Sequence, residues 1–452
     1  MKYARVFILV TLLALLPGAL FAQYEPPTGG EDFYEYTTPA TLGRGFSLTD
    51  FNSLGQTRMN PALPAELQRV HVGLSYTGLY GTSSPNDGWK GHGGFFGLSV
   101  PTRAGVITGS MAALHVPFED MDLGTTFSMN AGFSKKLYPR LNMGVGLNGL
   151  VGGADGNTSV GVSADIGGVY EAGDLGFLGD TIIGFALLNS GKWYQPVEDK
   201  SAVPSPFTPA VGISSELLRN EDWSLRLGAD VSFPSVQNGR LNLGGRLSFR
   251  DRFSLYGGWG LDARQLFEDD LELRSLAPSV GISVRIASRI PGESRFIEEQ
   301  GWQRSEVYTH ASVAPLYEGI MGGSLGLEAA LGVRDTEPPE IAVGYEADRV
   351  DYISPNNDGT QDDLSFDLSI EDERYVRSWR LFVYDDQGNV VREIQNKDDR
   401  PENEGLQGII DRIVAVEKGV EIPDELRWDG RGDSGEVVPD GAYSFVVRAA
   451  DD

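Results

Sequence analysis

The chain has 452 residues, no cysteine, 22% charged side chains and a formal net charge of −27. That length is enough for about two or three domains with sizeable cores. The missing cysteines exclude disulfide scaffolds, thiol catalysis and thiolate metal centres, and the acidic balance argues against a nucleic-acid partner.

The first residues read as an export signal. Lys2 and Arg5 precede an apolar run from Val6 to Leu16, Pro17-Gly18 breaks it, and Ala22 closes a small-residue stretch. This pattern predicts a signal peptide over residues 1–22, too short in its apolar part for a membrane anchor. Residues 23–69 come next. Gln23 to Ala40 is acidic and rich in proline and glycine, the composition of a loose linker. Thr41 to Arg69 does not alternate as a strand would, and it carries Asn60-Pro61-Ala62 just before the first strand-like text.

Residues 70–334 read as strand after strand. Trp223, Leu225, Leu227, Ala229, Val231 and Phe233 are separated by small, polar or charged residues. Successive strand side chains point to opposite faces, so this is a strand with one apolar and one polar side. The same text recurs from Leu141 to Leu147, Val160 to Ile166, Leu241 to Phe249 and Val280 to Ile286. About fourteen such runs of roughly 9–13 residues each are expected. Ordinary globular strands average about 5–6 residues. Trp223 and Phe233 lie about 33 Å apart along a strand, which a tilt near 40° projects to roughly 25 Å, the height of a lipid-facing band. The fold predicted is all-β: an antiparallel transmembrane barrel of about 14 strands with an N-terminal plug, then a small β-sandwich. An even strand number returns the chain to the side it entered.

The inward faces of these strands carry the charge. Arg226, Asp230, Arg246, Arg285 and Asp165 are expected to face the lumen, as are His71, His115 and His310, with His92 in a loop. A polar transport path and an ion-paired barrel interior fit these residues equally. Two connections, Glu171 to Asp180 and Pro291 to Gln300, are longer than short periplasmic turns should be. Leu137-Tyr138-Pro139 reads as a turn.

Composition changes at residue 335. Glu337-Pro338-Pro339 marks a linker, and Thr336 to Asp452 holds 30 acidic against 12 basic residues, or −18. Strands are predicted at Leu364 to Ile370, Trp379 to Tyr384, Asn389 to Ile394 and Ala442 to Ala449, with a short helix around Gln407 to Val416. Asn356 and Asp358 have the spacing of a calcium loop, yet its twelfth position is Ser365, not the required glutamate. An Asn-rich turn accounts for them better. No nucleophile, metal-ligand or phosphate-loop constellation is present, so neither an enzyme nor a cofactor is implied.

The barrel text with its preceding Asn60, Pro61 and Ala62 resembles the FadL-like outer-membrane family, including its PorV/PorQ branch. That resemblance covers about Thr41 to Arg334. It implies a lumenal plug, residence in a Gram-negative-type outer membrane among its lipids, and uptake of hydrophobic small molecules such as long-chain fatty acids. The PorV branch implies the alternative, a non-enzymatic secretion or scaffold component that works through protein partners. Over residues 335–452, Trp428, Gly430, Pro439, Asp440, Gly441 and Tyr443 match the FlgD-type immunoglobulin-like domain. This resemblance implies a periplasmic binding or spacer module, a place for a protein partner.

Overall fold

A computed structural model describes residues 38–451 apart from 44, 120–121, 155–156, 193–206, 237, 264–276, 290–301, 317–318, 333, 335–337, 346–349, 357, 373–374, 398–404 and 417–418. The predicted signal peptide, most of the acidic linker and the connection Pro291 to Gln300 lie outside the described residues. Two compact units divide the chain, one ending at Val333 and one running from Arg334 to Asp452.

The first unit is a closed barrel of fourteen antiparallel strands, each bonded to its sequence neighbours and the last to the first. They are β1 (Val70–Gly81), β2 (Gly88–Thr102), β3 (Gly105–Pro117), β4 (Asp122–Tyr138), β5 (Leu141–Ala154), β6 (Asn157–Leu175) and β7 (Leu178–Lys192). Then come β8 (Thr208–Arg219), β9 (Trp223–Ser232), β10 (Arg240–Phe249), β11 (Phe253–Asp262), β12 (Ser279–Arg289), β13 (Arg304–Pro315) and β14 (Ile320–Leu331). Val70 pairs with Leu331, so the chain enters and leaves at one rim, called proximal here. Closure gives every strand two partners and leaves no edge.

The alternation is what closes the sheet this way. Apolar side chains stand outward and bare: Leu74 is 59% exposed, Leu147 65% and Leu325 64%. Their neighbours point into the lumen, where Ser99, Ser134 and Thr181 are fully buried. Exposed aromatics mark both margins of the apolar face. Tyr138, Tyr170, Trp223 and Phe253 stand near the proximal rim, and Tyr80, Trp89 and Phe233 near the distal one.

Strand lengths depart from expectation. β2 and β4 to β7 run from 14 to 19 residues, longer than the predicted 9–13. The Glu171 to Asp180 connection is largely strand, because β6 continues to Leu175 and β7 resumes at Leu178. Tyr138 likewise belongs to β4, and the turn is only Pro139 and Arg140. In each case polar residues at a strand end look like loop in the sequence, because a strand that outruns the apolar band is polar on both faces. His92 is on β2 and not in a loop. His115 faces outward, on the side of Ile107 and Met111, and not into the lumen. His71 and His310 face inward and are buried.

Inside the barrel the preceding segment folds into a four-residue helix α1 (Pro39–Leu42) and two 3-10 turns, Leu54–Arg58 and Leu63–Glu66. A capping box starts the first turn: the Gln56 carboxamide oxygen accepts from the Asn52 and Ser53 N–H groups, at 2.6 and 3.1 Å. Leu42 and Leu54 pack on Leu79, Phe95, Leu114 and Leu316 of the wall, a small apolar core within the lumen.

The second unit has two three-stranded antiparallel sheets. One is β15 (Glu340–Val343), β16 (Leu364–Glu371) and β19 (Glu425–Trp428); the other is β18 (Val390–Lys397), β17 (Ser378–Tyr384) and β20 (Ser444–Ala450). Phe366, Leu368, Ile370, Trp379, Leu381 and Leu426 form its core. Helix α2 (Gly405–Val414) falls where the sequence predicted one. The short β15 and β19 carry too few alternations to be read beforehand. No helix among the described residues is long and apolar enough to cross a membrane.

Candidate functional site

The segment from Thr38 to Arg69 crosses the lumen and is fastened to strands all round it. On one side the Asp230 carboxylate of β9 accepts from the Ser47 N–H at 2.6 Å and the Leu48 N–H at 3.2 Å. Next to it on β10, Arg246 donates to the Asn52 side chain and pairs with Asp50 at 3.2 Å. Across the lumen, Glu328 of β14 accepts from the Leu54 N–H at 3.0 Å with one oxygen. Its other oxygen meets His71 Nδ1 at 2.9 Å. Arg58 reaches β4 and donates to Ser128 Oγ at 2.9 Å. Backbone N–H groups of a non-repetitive segment need such acceptors once they are removed from water.

Asn60-Pro61-Ala62 is the most deeply seated part. Asn60 is fully buried. Its amide donates to Leu48 O at 2.8 Å and Gly168 O at 3.1 Å, and its oxygen accepts from the Ala62 N–H at 3.0 Å. The side chain therefore ties the segment to itself and to β6. The seat is a glycine pair, Gly144 of β5 opposite Gly167 of β6. A Cβ on Gly144 would stand 2.1 Å from Pro61 O, and one on Gly167 2.1 Å from the Asn60 oxygen. Only a residue without a side chain admits the turn there.

The other sequence candidates serve the wall. Arg226 is held by Asp180, donating to its backbone oxygen at 3.1 Å and to its carboxylate, with Ser214 Oγ at 3.3 Å. Asp165 accepts from Asn148 at 2.6 Å and from the Asn189 N–H at 2.7 Å. Arg285 pairs with Glu306 at 3.7 Å. Of the five charged candidates, Asp230 and Arg246 thus touch the crossing segment. Glu328 was not singled out from sequence, although an acid between Leu327 and Ala329 on an otherwise uncharged β14 was a usable signal.

A cavity of about 280 Å³ opens between the crossing segment and the distal half of the wall. Leu42, Phe46 and Leu48 line its floor, and Leu188, Ala210 and Asn242 are among its sides. Leu48 packs with Ala186, Leu188 and Ala210 in a small apolar cluster. Asp230 and Arg240 also border it, the latter bonded to Asp262 at 3.1 Å. Polar side chains share the lining with these apolar ones, an arrangement that can orient a small amphipathic molecule.

In the second unit, Trp428 Nε1 donates to Arg431 O at 3.0 Å, and its ring meets that of Tyr443 at 5.3 Å between centroids. Tyr443 in turn donates to Pro439 O at 2.6 Å. Gly430 lies between them at φ +68°, and Asp440 and Gly441 complete the turn. The Asn356 and Asp358 side-chain oxygens accept from backbone N–H groups two residues on, at 2.9 and 2.8 Å, which is Asx-turn geometry. Among the described residues no three His, Cys, Asp or Glu side chains gather as a metal site.

No protein-family profile matches the sequence, and no curated protein matches it significantly. Among solved structures, the toluene transporter TodX of Pseudomonas putida is 11% identical, with 68% of this chain and 98% of that one covered and a TM-score of 0.40. A FadL homologue of Pseudomonas aeruginosa is 13% identical, covering 69% of this chain and 99% of its own, with a TM-score of 0.39. The outer membrane protein Omp33 of Acinetobacter baumannii is 7% identical over 58% of this chain and 98% of its own, at 0.31.

Proposed function

We propose that the chain is an outer-membrane barrel that takes up small hydrophobic molecules past a lumenal plug, as FadL-like proteins do. The observation that carries this reading is the pairing of a bare apolar outer face with a polar-fastened segment across the lumen and an apolar-floored cavity above it. A bare apolar belt between aromatic margins suits lipid and is costly in water. Asn60, Pro61 and Ala62 anchor the plug, Asp230 and Arg246 hold it against β9 and β10, and Arg226, Arg285 and Asp165 keep the wall rigid. A molecule entering from the distal rim meets the cavity first, and passage then requires the stretch around Leu48 to move aside. Long-chain fatty acids fit the apolar floor, with Asn242 and Arg240 as polar contacts for a head group.

In this reading both barrel ends of the chain face the periplasm, and so does the FlgD-type immunoglobulin-like module of residues 335–452. A second reading, a PorV-like scaffold, draws support from that module, because it has a core of its own and a simple channel has no need of one. Binding of a fluorescent long-chain fatty acid by the purified full chain separates the readings. Ala210→Trp, which fills the cavity, should abolish binding if uptake is the function; no binding by the wild type favours the scaffold. Leu147→Arg tests the membrane itself. Placed on the lipid face it should cost about 2–4 kcal/mol of folding into vesicles, and an unaffected, freely soluble barrel would sink both readings.

A further inference from the structure

We propose that the outer wall between β2 and β12 binds one phosphate-bearing anionic lipid, its chain over a glycine trough and its phosphate against Lys90, His92 and His115. The inference rests on the membrane reading above and goes beyond the lumenal site. One register row crosses the outer face from His115 through His92, Gly78, Gly323 and Val313 to Val280. Four strand steps separate His92 from Val280, about 19 Å at ~4.8 Å each. In the middle of the row two glycines stand side by side, and the next outward row carries Tyr76 beside Leu325. The result is a groove of about 750 Å³ that is open to the outside. That is within the usual range for a ligand site. The Trp89 indole lies over Gly78, where a Cβ would come within 2.8 Å of Cζ3, and its edge stands 3.7 Å from the same point on Gly323. The missing side chain of Gly78 thus admits the Trp89 ring, which walls the groove, while that of Gly323 leaves the floor beside it open.

Its polar end is at odds with its surroundings. His92 and His115 are cross-strand neighbours with ring centroids 5.6 Å apart, and His115 Nδ1 meets Thr125 Oγ1 at 2.9 Å. Lys90 borders the same groove, its ammonium fixed by donation to Pro85 O at 2.8 Å. That contact uses one of three N–H donors. A lysine at the margin of a lipid-facing band stands at headgroup depth, where its ammonium can form charge-assisted bonds to phosphate oxygens and the neighbouring imidazoles can donate to the same group. An apolar trough ending in three donors matches the two halves of a single lipid.

The test is native mass spectrometry of the full chain after exchange in micelles holding equal phosphatidylglycerol and phosphatidylcholine. One retained phosphatidylglycerol per chain, in about tenfold excess over phosphatidylcholine, is expected. Lys90→Ala/His92→Ala/His115→Ala should remove the preference while keeping some lipid. Gly323→Leu should remove retention of both lipids, whereas Val162→Leu on a distant strand should change nothing. Equal retention of the two lipids by the wild type, or a preference unmoved by the triple variant, overturns the site. Heat-modifiable migration of each protein on gels is read in parallel. Its loss in the wild type would overturn the membrane reading itself, and its retention alongside indifferent lipid binding would overturn the groove alone.

Discussion

Glu328 illustrates how one side chain can fix a whole segment. It is buried, holds the Leu54 N–H with one oxygen and His71 with the other, and so joins the plug to β14 and β1. Glu328→Ala leaves a buried N–H and a buried imidazole without that acceptor, a cost of about 1–3 kcal/mol. The plug should then become sensitive to limited proteolysis near Arg58 while the barrel stays intact; equal protection in variant and wild type would refute the latch. In the second unit, Asp385 caps the turn between β17 and β18. Hydrogen bonds from the Asn389 side chain and backbone, then from Gln387 and Gly388, hold its carboxyl below the usual carboxylate range. A depressed value means a contribution that is present above the unfolded-state range and lost as pH falls through the folded value. Amide exchange at Gly388 and Asn389 should therefore quicken relative to the intrinsic rate in acid, and Asp385→Asn should flatten that dependence. At this scale the sequence was legible only in part. Alternation puts Asp230 and Arg246 on the inner face, but not against Ser47 or Asn52, because those partners lie on a plug segment whose path follows no period. Polarity alone points His115 inward, whereas the alternation of its strand puts it outward, beside His92.

Among the elements, the strands were the most legible and their ends the least. A two-residue period survives in any strand with one apolar and one polar face, so all fourteen are visible in the sequence. Where β6 extends past the apolar band, its 19 residues spanning roughly 60 Å, both faces meet water and the period disappears. The plug had no period to read, and only Asn60-Pro61-Ala62 hinted at its place. Its seat depends on the Gly144 and Gly167 pair, two positions that sequence alone could not distinguish from other lumenal glycines. Gly167→Leu should expel the Asn60 turn from β6, since even a Cβ there would overlap the Asn60 oxygen. Loss of slow exchange at the Ala62 amide, with barrel exchange unchanged, is the expected result. An unaltered Ala62 amide would show that the turn has another seat.

As a whole molecule the chain joins two bodies of different solvent logic. The barrel turns its apolar side chains outward and its polar ones in, while the second unit buries Trp379 and Leu381 in an ordinary core. Bulk composition concealed this, because 40% hydrophobic content averages over opposite arrangements. The charge of −27 is equally uneven, with −18 of it after Thr336. For a hydrophobic molecule to pass as proposed, the plug that crosses the lumen must move. The absence of cysteine allows a direct test by tethering. A Cβ on Gly212 would stand 3.0 Å from that of Leu48, shorter than the usual ~3.5–4.5 Å of a disulfide, and 2.1 Å from an Asp230 carboxylate oxygen, so the Asp230 side chain must give way and the reduced double variant is the reference for the tethered one. In vesicles carrying Leu48→Cys/Gly212→Cys, entry of a fluorescent long-chain fatty acid should be lost on oxidation and return on reduction, with wild-type entry insensitive to both. Entry that is equal in oxidised, reduced and protein-free vesicles would contradict the account.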